Sequence, residues 1–268
     1  MPFDSRQYLM LLMLLWTLMA APIQAEEEGA PPFSHDIWTS VLERFVDEEG
    51  WVDYVALASD RADLDRYLSS LVAVSPASHP DLFPTRQDAL AYYINAYNAQ
   101  VFAGVLKIGP EVKSVWPTLW AGYQFFMQRK FQLGGKKFHL KGLEDNVVRA
   151  EFEDPRIHAA LNCASIGCPR LPRKAFEAAT LEEELQAAME EFIGDPRHVK
   201  VEASARAVHI SKIFDWFDKD FLDEEKRRGT SRPNLIDYVN RFRGPDDQIP
   251  RDFKIKILPY DKGLNRQK

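Results

Sequence analysis

The segment Asp88–Lys107 constrains this chain more than any other. It carries no proline, is apolar or aromatic almost all round, and runs into Gly109-Pro110, a helix stop signal. A helix without a polar face must sit inside a protein, so the pattern predicts a buried central helix with other elements packed around it. Within it, Asn95 and Asn98 lie three residues apart and share one face. Buried amides cost stability unless hydrogen-bonded. They therefore either fasten a neighbouring loop or line a site, and at least one is expected to contact the segment His158–Cys168.

The remaining elements are shorter. Ile37, Val41, Leu42, Phe45 and Val46 fall at helical spacing, ending near Gly50. Leu64, Tyr67, Leu68, Leu71 and Val72 do the same, stopping before Pro76. A short helix is expected over Leu143–Glu151, an acidic amphipathic one over Leu181–Ile193, and an aromatic helix face over Ile213, Phe214, Trp216, Phe217 and Phe221. Ile157–Cys163 reads as a buried apolar stretch without a clear class. Gly134-Gly135 between Lys130–Leu133 and Lys136–Leu140 signals a two-residue hairpin with Phe131 facing Phe138. Val199–Glu202 and Ala207–Ser211 suggest a second hairpin. Phe253, Ile255 and Ile257 alternate with lysines, as in a strand with one face in water. The expected class is α+β: a mainly helical single domain with short antiparallel strands and hairpins.

The amino terminus reads differently. An apolar run from Tyr8 to Ala21, broken only by Thr17, is shorter than the roughly 20 residues of a membrane-spanning helix. Ala25 follows, just before Glu26-Glu27-Glu28. This is the layout of a cleavable secretory signal over residues 1–25, with an uncleaved anchor as the alternative. A flexible leader over 26–32 and one domain over 33–268 would follow, exported to the periplasm or secreted. No second apolar run is long enough to span a bilayer. With 34 Lys+Arg against 40 Asp+Glu, the formal net charge is −6. That balance gives no basic footprint for nucleic acid. No cofactor is expected.

Both cysteines fall in His158-Ala-Ala-Leu-Asn162-Cys163-Ala-Ser165-Ile-Gly167-Cys168-Pro169. They fit a structural disulfide, because export permits one and only one pairing exists. They also fit a nucleophilic thiol, with Cys163 as nucleophile and His158 as base. Cys163 is preferred because it ends a buried segment near free backbone N–H groups and precedes small residues, whereas Cys168 precedes Pro169. The spacing of five requires a kink or turn between His158 and Cys163. His139 and His209 are other bases, and Asn98 or Asn162 would be the orienting amide, with Asn95 also considered. A metal held by His158, Cys163 and Cys168 lacks a marked fourth ligand, so none is expected. Buried, unreactive thiols complete the alternatives.

Other polar residues read as structure. Asp215, Asp218, Asp220 and Asp223 lack a calcium-loop pattern and suggest a solvated helix face. His35, His79 and His198 are expected at the surface. Trp116, Trp120, Tyr123, Phe125 and Phe126 are expected in the core or lining a groove, not forming a nucleic-acid platform.

Three blocks resemble domain-of-unknown-function family 547: Ala91–Ala99, Asp154–Ser165 with Cys168-Pro169, and Ile213–Phe217 with Asp220-Phe221. Val52-Asp53-Tyr54 and Tyr260-Asp261 with Leu264-Asn265 add to the likeness. Tyr93 stands where a Trp is common in that family, and Lys262-Gly263 replaces a Trp-Ser pair. The resemblance implies export, as in many bacterial members, and carries no established activity or substrate.

Two function classes are therefore expected. One is a cysteine-dependent hydrolase or acyl-transfer enzyme of the cell envelope. The other is a non-catalytic binding or envelope-assembly protein with a structural Cys163–Cys168 disulfide.

Overall fold

The all-round apolar segment becomes the longest helix of the structure, a computed structural model that describes residues 32–268. The signal segment and the leader up to residue 31 lie outside the described residues. Helices α1 (Asp36–Phe45), α2 (Tyr54–Ser59) and α3 (Ala62–Ala73) precede α4 (Arg86–Ile108). A capping box starts α4, with Thr85 and Asp88 each satisfying the other's backbone N–H. An unbroken run from Leu90 to Phe102 is buried, as a helix lacking a polar face requires.

Helix α5 (Leu119–Tyr123) continues through a wide π-type turn over Gln124–Gln128. Strands β1 (Phe131–Leu133) and β2 (Lys136–Phe138) then pair antiparallel, with Phe131 opposite Phe138 as expected. Their rings stack with centroids 6.4 Å apart. Gly134 and Gly135 both have positive φ, which the primed turn of a two-residue hairpin demands. A helical run from Leu140 to Phe152 follows, comprising α6 (Leu140–Leu143), a π-type stretch over Glu144–Arg149, and α7 (Ala150–Phe152). It starts three residues earlier than the sequence suggests because His139 caps it, accepting from the Gly142 N–H at 2.9 Å. His139 is therefore a cap and not a strand residue.

Ile157 lies in a 3₁₀ turn over Pro155–Ala159, and the chain then runs irregularly through the cysteines to α8 (Leu181–Gly194). Strands β3 (Val199–Glu202) and β4 (Ala207–Ile210) form the second hairpin. The expected aromatic helix is two helices, α9 (Lys212–Trp216) and α10 (Asp218–Arg227), separated at Phe217. After α11 (Leu235–Asn240), β5 (Lys254–Ile257) joins β4 in parallel. The intervening helices make the crossover that a parallel neighbour needs. All of β5 is exposed, including Ile255 and Ile257, so its alternation does not mark a buried face.

Two apolar clusters fill the described body. The larger surrounds α4, and the smaller joins α8, the three-stranded sheet and α9–α11. His35 and His198 are buried in this body, contrary to their expected surface positions. His35 bonds the Tyr67 hydroxyl at 2.7 Å, and burial pushes its pKa down to about 4. Burial does the same to His198.

Candidate functional site

The amides of α4 fasten the cysteine segment. Asn98 donates from Nδ2 to the Ala160 carbonyl at 3.0 Å, and its Oδ1 accepts from the Asn162 N–H at 2.9 Å. Asn95 makes the same two-way clasp with the Phe176 backbone. Asn162 in turn bonds the Pro169 carbonyl and the Ala164 N–H, closing the loop that carries both cysteines. Ala164 has φ +62, a left-handed conformation costly for a residue with a Cβ. The chain holds this turn through the Asn162 bond. Asn98 and Asn162 thus act together on the backbone.

The two sulfurs of Cys163 and Cys168 lie at disulfide-bonding distance, with their Cα atoms 6.3 Å apart. Cys163 is half-buried, whereas Cys168 is almost fully enclosed. The Cys163 N–H donates to Cys168 Sγ at 3.0 Å, so this local N–H serves the other sulfur. The Tyr260 hydroxyl sits 3.0 Å from Cys163 Sγ and 3.1 Å from Cys168 Sγ. Tyr260 arrives because Ile166 and Gly167 donate to the backbone carbonyls of Gly263 and Asp261. A Cβ at Gly167 would lie 2.9 Å from the Tyr260 ring, so the close approach requires glycine.

Both sulfurs line a cleft of about 540 Å³ walled by Trp116, Tyr123, Phe126, Trp216 and Phe217. His158 and Glu144 line the same cleft. His158 Nε2 lies 2.8 Å from Asp220 Oδ2, and its ring stacks on Phe217 with centroids 4.1 Å apart. Asp220 also receives two hydrogen bonds from Arg149. Burial opposes ionisation of Asp220, but its bonds to His158 and Arg149 outweigh that and hold the carboxyl below its usual range. Burial lowers the pKa of His158 despite Asp220. The carboxylate selects the tautomer with the proton on Nε2, which leaves Nδ1 as the basic nitrogen. His158 and Cys163 share the cleft without hydrogen-bonding to one another. His209 instead bonds Glu202 on the surface.

Glu144, absent from the sequence-based candidates, has its pKa pushed up to about 7 by burial. It therefore exchanges a proton near neutral pH. Its signal was positional: it shares the apolar face of Leu140, Leu143 and Val147, while Asp145 takes the cations Lys141 and Arg149 at 2.7 and 2.6 Å. Asp220 departs from the solvated helix face assigned to it; Asp215 and Asp223 keep surface lysine partners. Trp116, Tyr123 and Phe126 line the groove as expected, Phe125 is core, and Trp120 is exposed. Among the described residues, no group of three His, Cys, Asp or Glu is placed to hold a metal ion.

The chain has no match among curated proteins and none among solved structures. The first two motif blocks lie within the segment recognised by a family model. The third block and the turn bearing Tyr260 lie outside it yet contribute Asp220 and Tyr260 to this site. Residues 82–193 match the family described as "Protein of unknown function, DUF547", the family its motifs resemble.

Proposed function

We propose that this chain is an exported thiol-dependent enzyme, a hydrolase or acyl-transferase, that works from the aromatic cleft when the Cys163–Cys168 pair is reduced. The observation that carries the reading is the convergence of Cys163, the Asp220-oriented His158 and the protonatable Glu144 on one cleft. Perturbed titratable groups in a largely apolar pocket are the usual mark of a reactive site.

A dithiol reductant opens the cysteine pair to two thiols and itself closes to a disulfide. Once substrate binding or a bridging water brings the two within hydrogen-bond reach, Cys163 passes its proton to His158 Nδ1, and the thiolate attacks an acyl carbonyl. The alcohol or amine leaves with that proton as a thioester forms. Water or a second acceptor takes the acyl group and restores the thiol. Tyr260 donates a hydrogen bond to the thiolate, while Glu144 supplies a second proton-transfer group.

The sulfur separation favours a second reading, a non-catalytic binding protein with a structural disulfide. Hydrolysis of p-nitrophenyl acyl esters by reduced protein separates the two. The enzyme reading predicts that Cys163→Ser falls roughly a thousandfold below Cys168→Ser, by analogy with nucleophile deletions. Equal rates in both variants and in the reduced wild type would reject it.

A further inference from the structure

We infer that the lip of the cleft is a docking surface for an anionic lipid bilayer. Residues 119–128 form one continuous helical stretch. On it, Leu119 is 86% exposed, Trp120 62%, Tyr123 45% and Met127 40%. Trp120 and Tyr123 stack on one another with centroids 5.6 Å apart. Leu119, Tyr123 and Met127 also line the cleft. Scattered apolar side chains are ordinary on a protein surface, but a concentration of them rimming a cleft marks an interaction site.

Charge identifies what the surface meets. From Val112 to Leu143 the chain carries Lys113, Arg129, Lys130, Lys136, Lys137 and Lys141 but no Asp or Glu, within a protein of net charge −6. Lys113 and Lys130, which flank residues 119–128 in sequence, are exposed. Lys136 and Lys137 are exposed on the hairpin, where Lys136 lines a separate cavity with Ser75 and Tyr93, and Arg129 turns inward to donate to the Gln100 carbonyl. One further ammonium group stands at the cleft, Lys262 over the Trp116 ring, whereas Lys141, over the Phe217 ring, is paired with Asp145. Trp and Tyr favour the headgroup boundary, and lysines beside them are drawn to anionic headgroups. A second copy of this chain would instead bring like charges together across a two-fold contact. No helix among the described residues is long and apolar enough to cross a membrane, so the contact is peripheral. The docking does not depend on the thiol chemistry.

The test is sedimentation of the full chain with phosphatidylglycerol vesicles or phosphatidylcholine vesicles, combined with amide exchange over residues 119–128. Wild type is expected to bind phosphatidylglycerol at least about tenfold more tightly than phosphatidylcholine. Leu119→Ser/Trp120→Ser should lose about tenfold in affinity for phosphatidylglycerol while retaining the wild-type melting temperature. Exchange over 119–128 should slow when wild type binds. Amide exchange over 119–128 separates binding through this surface from binding through the Tyr8–Ala21 run, which both proteins share. Equal binding by the two proteins, unchanged exchange over 119–128, or no binding to phosphatidylglycerol would overturn the inference. So would a wild-type dimer that Leu119→Ser/Trp120→Ser dissociates, which would assign the surface to a second copy.

Discussion

His158 Nε2 lies 2.8 Å from Oδ2 of Asp220, a residue 62 positions further along the chain. This contact joins the cysteine-bearing segment to α10 across the cleft wall. Arg149 bonds the same carboxylate, so Asp220 satisfies a cation and an imidazole at once. Asp220→Asn should lower stability by about 2 kcal/mol, the scale of lost charge-assisted hydrogen bonds. It should also lower the pKa of His158 further, since Asp220 is the group that raises it. Thermal melting and histidine NMR titration measure the two effects. An unchanged melt with an unchanged titration would remove Asp220 from the site.

Glu144 gives the protein a pH signature. Its carboxyl has an ordinary pKa of 4.5 and is raised to about 7 by burial. The folded chain therefore keeps a proton that the unfolded chain releases across this interval. This contribution makes stability fall as pH rises from 4.5 to about 7, and the loss persists above it. Its side chain keeps 12% exposure, so the effect is at most about 3 kcal/mol. Glu144→Gln should remove that fall, making the variant more stable than wild type at alkaline pH. Chemical denaturation on both sides of neutrality reads it. Parallel pH profiles would place the Glu144 pKa at its ordinary value.

Asn98 is the clasp between the central helix and the cysteine loop. Asn98→Ala leaves the Ala160 carbonyl and the Asn162 N–H without their partner. The expected cost is about 3 kcal/mol, measured by denaturant titration. A loss below about 0.5 kcal/mol would show that the loop is held by other contacts.

This clasp was legible in the sequence because two amides on an apolar helix must find partners. The Phe131–Phe138 pair was legible for a similar reason, since a two-residue Gly-Gly turn fixes register. Periodicity said less where distant segments meet. Asp220 reads as one more acid on an acidic helix until the fold brings Arg149 and His158 to it. Tyr260 reaches the sulfurs only through backbone pairing between residues far apart in the chain. His35 and His198 illustrate the same limit, because polar neighbours in sequence do not decide burial in space. The parallel pairing of β5 depends on a long crossover that its own four residues cannot encode.

The cysteine pair closes a short loop, so its contribution to stability is modest. The chain-entropy estimate for a loop spanning Cys163 to Cys168 is about 2 kcal/mol. Without reductant the wild type should take no thiol tag, and after reduction it should take two while melting at a lower temperature. Tags on the unreduced protein would contradict the pairing.

Alkylation kinetics resolved residue by residue test the central claim most directly. After reduction, the rate of iodoacetamide labelling at Cys163 and at Cys168 is followed by mass spectrometry across pH. Cys163 should react first, because it is half-buried and opens onto the cleft while Cys168 is almost fully enclosed. Equal labelling rates at both cysteines across the pH range would contradict the account and leave the pair as a structural staple.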